Sequence, residues 1–132
     1  MAAGLIIVSV VIITYWILWT VHRSLVASST SRSYVIFENA FPVADFFLVL
    51  CLVLAAWSLI ARRRAALMWL LLGAGGGLYL LCMDVLYDLQ HSVWGQGGNG
   101  LVELGINLAT AGVSIAVLRW TWRRRDALLA DH

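Results

Sequence analysis

The acidic residues are the side chains in this sequence most able to carry chemistry, and their positions follow a pattern. Five of the seven acids precede the C-terminal tail, and these are Glu38, Asp45, Asp84, Asp88 and Glu103. Each lies near one end of a long hydrophobic segment, at the end away from the arginine clusters. An ionisable side chain in lipid is costly and normally turns toward a cavity or a partner. The pattern therefore predicts one acidic site where the segments meet.

Helix geometry places three of these carboxyl groups at a similar depth in a bilayer. At a rise of about 1.5 Å per residue, Asp45 and Glu103 lie about 25 Å along their helices from the nearest arginine cluster, and Asp84 lies about 30 Å away. The hydrocarbon core of a bilayer is about 30 Å thick. We therefore expect these carboxyl groups near one boundary of the membrane, with Asn107 one turn deeper.

Helical spacing also gathers polar side chains into stripes, because residues one or two turns apart share a face. The stripes are Glu38 with Asp45, Asp84 with Asp88 and His91, and Glu103 with Asn107. Carboxylates that face one another with few cations nearby disfavour full ionisation. We therefore expect some of them to hold protons near neutral pH.

These residues predict acid–base chemistry beside a surface that stabilises positive charge. Asp45 and Asp84 are the candidate catalytic acids, since one protonated carboxyl could donate a proton to an alkene or epoxide while a second carboxylate stabilises the developing cation. Aromatic faces would add to that stabilisation. The mechanism is similar to that of membrane sterol isomerases and terpene cyclases. The candidate ligand-binding residues are Glu38, Asp88, Glu103, Asn107, Trp16, Trp19, Tyr87 and His91.

A structural interpretation competes with the functional one at each position. Glu38, Asp88 and Glu103 could be solvated helix ends, and acids at helix N-termini complement the helix dipole. The aromatic residues could form the belt that is typical of membrane interfaces. His91 could be a surface residue near a loop, and Asn107 a helix–helix hydrogen bond. The two candidate catalytic acids fit this interpretation least, because apolar residues flank them.

The sequence predicts no metal site and no cofactor. Cys51 and Cys82 both lie in apolar runs, which favours a packing role for each, and no Cys/His pair has metal spacing. The Glu-x-x-His pairs of di-iron bundles are absent, as are serine-hydrolase motifs, phosphate loops and redox cysteine pairs.

Membrane helices must position these residues. The chain is 62% hydrophobic and 12% charged, whereas soluble domains are nearer half apolar and a quarter charged. We predict an all-α polytopic membrane protein with a single domain, 1–132, built as a four-transmembrane-helix bundle. The apolar segments cover about 4–21, 40–61, 65–89 and 101–118.

Local signals set the ends of these segments. Asn39 is a candidate N-cap for the second helix, and Pro42 suits its first turn. Arginine clusters end the second and fourth segments, and the glycine-rich stretch 95–100 predicts a flexible loop, as does the polar stretch 22–33. A cleaved signal peptide ending near residue 27 is the alternative for the first segment.

Arginine bias predicts the orientation. The loop between the second and third segments and the C-terminal tail hold seven arginines, and the opposite side holds only Arg23 and Arg32. Because positive residues favour the cytoplasmic side, we expect both termini there, in a multi-pass protein of the cell inner (plasma) membrane. Clusters of this kind indicate topology and not nucleic-acid binding.

Gly73 and Gly77 form a small-x-x-x-small step that permits close helix approach. Packing within the chain is the favoured interpretation, and a homodimer through this step is the alternative. The other partners expected are membrane lipid and a lipophilic or amine small molecule.

The segment Phe37–Asp45, followed by Met83-Asp84 and Leu89-Gln90-His91, resembles a group of small four-span bacterial membrane proteins without an established activity. The likeness covers the second to fourth helices and implies a four-helix fold.

Three functions fit the sequence. The first is a pocket near the outer leaflet that binds a lipophilic or cationic molecule, with acid–base chemistry on an isoprenoid-like substrate in its enzymatic version. The second is a proton- or cation-coupled transporter or channel acting as an oligomer. The third is a non-catalytic accessory subunit whose acids meet a cationic partner.

Overall fold

The computed structural model describes residues 1–27, 31–95 and 97–130, apart from the side chain of Asn99. Helices make up nearly all of this part of the chain. The α-helices are α1 (Ala2–Val21), α2 (Arg32–Glu38), α3 (Pro42–Ile60), α4 (Ala65–His91) and α5 (Gly98–Leu129). Four segments are long and apolar enough to cross a membrane, and α2 with α3 forms one of them. The prediction of four helices long and apolar enough to span a membrane is confirmed.

Pro42 occupies the first turn of α3 as predicted, but Asn39 does not cap that helix. Phe41 is the residue that precedes α3, and Asn39 lies at the C-terminal end of α2. The side chain of Asn39 accepts a hydrogen bond from Trp19 Nε1 at 3.1 Å. The N-cap prediction is therefore wrong, because Asn39 ends the short helix α2, and Ala40 and Phe41 lie between it and α3.

The connection between α3 and α4 is a tight turn around the first arginine cluster. The N–H of Arg63 donates to Ser58 O at 2.8 Å and that of Arg62 to Leu59 O at 3.3 Å, which is the Schellman pattern of helix termination. Arg62 takes the left-handed conformation, with φ of 51°, that this pattern requires. The end of the second predicted segment thus coincides with the end of α3.

The bounds of the fourth helix differ from the prediction at both ends. α5 begins at Gly98, inside the glycine-rich stretch expected to be a loop, and it continues through the second arginine cluster to Leu129. Arginine ends the apolar span, but it favours helix nearly as well as leucine does, so the helix itself need not stop there. Parts of the two predicted loops and of the possible cleavage site, residues 28–30 and 96, lie outside the described residues.

The long helices pack in sequence, α1 against α3, α3 against α4 and α4 against α5. Gly73 and Gly77 serve this packing. A methyl group added at Gly73 would meet Leu52 at 3.3 Å, and one at Gly77 would meet Ser114 Oγ at 2.6 Å. Both glycines therefore bring helices of the same chain together, as the favoured interpretation of the small-x-x-x-small step predicts.

The cysteines form no disulfide with each other. Cys51 is buried in α3, which fits the predicted packing role, whereas Cys82 is exposed on α4.

Candidate functional site

Three carboxyl groups from three helices meet at one point. Glu38 ends α2, Asp84 lies on α4 and Glu103 lies one turn into α5. Each offers an oxygen atom, and these atoms all lie within 4.8 Å of one another. Glu38 and Glu103 are buried, and Asp84 is half-buried. We call these three residues the acidic cluster.

Two aromatic residues of α1 hold acids of this region by hydrogen bonds. The Tyr15 hydroxyl donates to Glu38 Oε2 at 3.3 Å, and Trp16 Nε1 donates to Asp45 Oδ2 at 2.8 Å. Tyr34 of α2 is a further hydrogen-bond partner of Glu38. Hydrogen bonds from α1 thus hold the carboxyl groups of Glu38 and Asp45 in place. Tyr15 is a site residue that was not among the candidates from the sequence.

A cavity of about 440 Å³ lies among the four long helices, with acids at one end. Its polar end is formed by the acidic cluster, Asp45 and Asn107. Away from that end the walls are apolar, apart from Thr110 and Ser114 on α5, and they reach Leu5, Leu52, Gly73 and Val117. The lining on α5 runs from Glu103 to Val117, which is about 21 Å at 1.5 Å per residue. The cavity is therefore elongated, and its two ends differ in chemistry.

The ionisable side chains of opposite charge are not balanced in the cavity wall, where the charged residues that the structure describes are all acidic. Four carboxyl groups line it, and no arginine or histidine among the described residues does. Two ionised carboxylates at 4.8 Å repel by about 3.5 kcal/mol at the effective dielectric constant of about 20 that suits protein sites. The cluster can avoid this repulsion by keeping protons or by binding a positive charge.

Asp88 lies on the same predicted stripe as Asp84, but it is used in a different way. Its Oδ2 accepts hydrogen bonds from Trp94 Nε1 at 2.9 Å and from Asn107 Nδ2 at 2.7 Å. The residue is 1% exposed and does not line the cavity. Asp88 therefore ties the turn after α4 to α5, which is a structural role.

Aromatic rings pack beyond the acidic cluster, on the side away from the apolar cavity walls. Phe37 stacks on Tyr87 with ring centres 3.9 Å apart, and Tyr87 stacks on His91 at 4.0 Å. Tyr34 lies between Trp19 and Tyr87, at 6.1 Å and 6.3 Å. Trp19, Tyr34 and Tyr87 are buried, and they lie about one helical turn from the wall residues Trp16, Glu38 and Asp84, respectively. We call Trp19, Tyr34, Phe37, Tyr87 and His91 the aromatic cluster.

The structure brings six of the ten predicted site residues to the cavity wall. These are Asp45, Asp84, Glu38, Glu103, Asn107 and Trp16. The other four lie outside it, Asp88 in the turn after α4 and Trp19, Tyr87 and His91 in the aromatic cluster. Comparison of the chain with protein-family models, curated proteins and solved structures finds no match.

Proposed function

We propose that this chain is an integral membrane protein whose cavity binds a lipophilic or cationic small molecule. The observation that carries this proposal is the cavity itself, where four carboxyl groups line one end and apolar side chains line most of the rest. Small-molecule sites are typically apolar pockets with a few convergent polar groups. A positive charge on the ligand would relieve the repulsion within the acidic cluster.

The proposed orientation puts both termini in the cytoplasm and the acidic cluster near the outer leaflet of the inner (plasma) membrane. α5 has 32 residues, so it is about 48 Å long and exceeds a hydrocarbon core of about 30 Å. Its surplus length carries Arg119 and Arg123–Arg125, the residues that favour the cytoplasmic side.

An organic cation suits this cavity better than a metal ion does. Mg²⁺ and Ca²⁺ need six or more oxygen ligands, and half or more of these would have to be water if three carboxylates each supplied one oxygen. Water is poorly accommodated where leucine, isoleucine and valine form the remaining walls. An alkyl group attached to the cation would fill that space instead.

The cavity also has the parts for acid–base chemistry on an isoprenoid-like substrate. Asp84 belongs to the acidic cluster, and Asp45 is held by Trp16, so either carboxyl could donate a proton into the cavity. The neighbouring carboxylates would stabilise the resulting cation. In this version Asp45 and Asp84 are the catalytic residues.

A transport path through a single chain is not favoured. At the apolar end of the cavity, the wall residues Leu5, Leu52 and Val117 belong with Leu70 to one buried apolar cluster. An ion crossing that cluster would lose its solvation without gaining a polar partner. A transporter or channel built from this chain would need a path between subunits.

Mass spectrometry of the small molecules that copurify with the protein in mild detergent tests the proposal. We expect an apolar or amine molecule with the wild type and its loss from the Asp45→Asn/Asp84→Asn double variant. Asp126→Asn is the matched control, because that exposed acid lies beside Arg125 and outside the cavity. If all three samples carry only bulk phospholipid, the proposal fails.

A further inference from the structure

The cavity wall is exposed on one side only. The exposed lining residues are Ile7 and Val11 on α1 and Ile106, Ala109 and Val113 on α5. The lining residues of α3 and α4 are buried or half-buried. The cavity therefore opens sideways, between the first and the last helix.

Helix packing gives the reason for this opening. The close contacts of the bundle run from α1 to α3, from α3 to α4 and from α4 to α5, and the α1–α5 pair is not among the closely packed ones in the described chain. The two outer helices of this series face each other across the cavity. We call the gap between them the side opening.

Buried side chains lie near both ends of the cavity. Trp19, Tyr34 and Tyr87 of the aromatic cluster are buried about one helical turn from residues of the acidic end. Leu5 and Val117, which line the apolar end, belong to a buried apolar cluster. Because the side opening is flanked by apolar residues of helices that cross the membrane, it faces lipid and not water.

The chemistry of the walls selects one occupant. An ammonium group complements the acidic cluster, and an unbranched alkyl chain complements walls that are apolar over several helical turns. Such a molecule lies in a membrane leaflet with its charge at the boundary and its chain in the core. The cavity has the same polarity, with acids near the boundary and apolar walls deeper.

We propose that the cavity takes a single-chain lipophilic amine directly from the surrounding leaflet, through the side opening between α1 and α5. The ammonium group then contacts the acidic cluster, and the alkyl chain lies along the apolar walls toward Ser114. This inference rests on the proposed function and adds to it the class of the ligand and its route.

Binding of radiolabelled dodecylamine to the protein in phosphatidylcholine nanodiscs tests the ligand class. We expect saturable binding that unlabelled dodecylamine displaces at about tenfold lower concentration than dodecanol, since hydrogen bonds to charged groups are the stronger ones. Butylamine should displace it poorly, because it lacks the apolar chain. Equal displacement by dodecanol would overturn the amine assignment, and the absence of saturable binding would overturn a single-chain amine as the ligand. The proposed function itself fails only if the copurification experiment finds bulk phospholipid alone.

A pair of neighbouring valines on α1 tests the route. Val11 lines the cavity and is 62% exposed, whereas Val10 is 55% exposed and lies on another face. We expect Val11→Trp to slow association of dodecylamine about tenfold or more and Val10→Trp to change it less than about twofold, because only the first indole narrows the side opening. Equal association rates in the two variants would overturn the route.

A second pair on α5 keeps the test decisive if a variant of α1 does not fold. Ile106 lines the cavity and is 42% exposed, and Ile115 is 47% exposed but does not line it. Ile106→Trp should slow association and Ile115→Trp should not. The same rate in both would again exclude entry between α1 and α5.

Discussion

Replacing Asp88 by alanine and by asparagine separates a structural role from a ligand-binding one. One oxygen of Asp88, Oδ2, accepts both the Trp94 indole N–H and the Asn107 amide N–H. Alanine removes this acceptor and leaves two donors without it in a buried place. Asparagine can put its own carbonyl oxygen in the same position and keep both hydrogen bonds.

The expected magnitudes follow from those two bonds. A hydrogen bond to a charged group contributes about 1.5–3 kcal/mol, so Asp88→Ala should lower the free energy of unfolding by about 3–6 kcal/mol. Asp88→Asn turns two charge-assisted bonds into neutral ones and should cost about 2 kcal/mol or less. Asp126→Ala is the control, because a surface acid contributes within about 0.5 kcal/mol.

Unfolding by SDS in mixed micelles, followed by far-UV circular dichroism, measures these differences. The refuting result is an Asp88→Ala variant as stable as the Asp126→Ala control, since the two hydrogen bonds would then contribute nothing. Displaceable binding of dodecylamine by Asp88→Asn should equal that of the wild type, because Asp88 does not line the cavity.

Two glycine pairs test the packing that positions the site. Gly77→Ala should lower the free energy of unfolding by about 1–3 kcal/mol, because its methyl group would meet Ser114 Oγ at 2.6 Å. A second change, Ser114→Ala, should restore the stability. Gly75→Ala should leave the stability unchanged, because its methyl group would have open space. Gly100→Ala should destabilise by a similar amount, since its methyl group would lie 3.0 Å from backbone atoms of Trp94, whereas Gly105→Ala should stabilise α5 by about 0.5–1 kcal/mol. SDS titration of each variant checks both expectations, and equal stability within either pair would contradict them.

That the acids of different helices meet at one level could be predicted from the sequence, because the level depends only on helix rise. Asp84 and Glu103 were placed near one membrane boundary by counting residues from the arginine clusters, and their oxygens do lie within 4.8 Å of each other. Helical periodicity predicts the position of a residue along the helix axis far better than it predicts which side chain of another helix the residue contacts.

Side-chain partners between helices could not be predicted in the same way. Trp16 and Asp45 are 29 positions apart, and Tyr15 and Glu38 are 23 apart, so their pairing depends on how α1 lies against α3 and α2. Spacing along α4 placed Asp88 in one stripe with Asp84, because spacing carries no information about contacts with other helices. The two groups that donate hydrogen bonds to Asp88 lie on the turn after α4 and on α5. No pattern within α4 could therefore predict them.

The two ends of α5 show a different limit. The apolar pattern predicts that the helix ends where the charges begin, but charge ends the part of a helix that lies in hydrocarbon and not the helix itself. At the other end, Gly100 suggested a loop by its residue type. Its place is determined instead by the close approach of the Val93 and Trp94 backbone, which leaves no room for a side chain.

The central claim is that an elongated cavity holds an alkyl chain whose charged group contacts the acidic cluster. Photocrosslinking would test this claim most directly. A long-chain amine with a diazirine at its terminal carbon, bound in nanodiscs and mapped by peptide mass spectrometry, should label buried wall residues such as Leu52 and Val117, far from Glu38. Excess dodecylamine should abolish that labelling. Labelling confined to exposed residues off the cavity, such as Val53 and Ile115, and insensitive to competitor, would contradict the account.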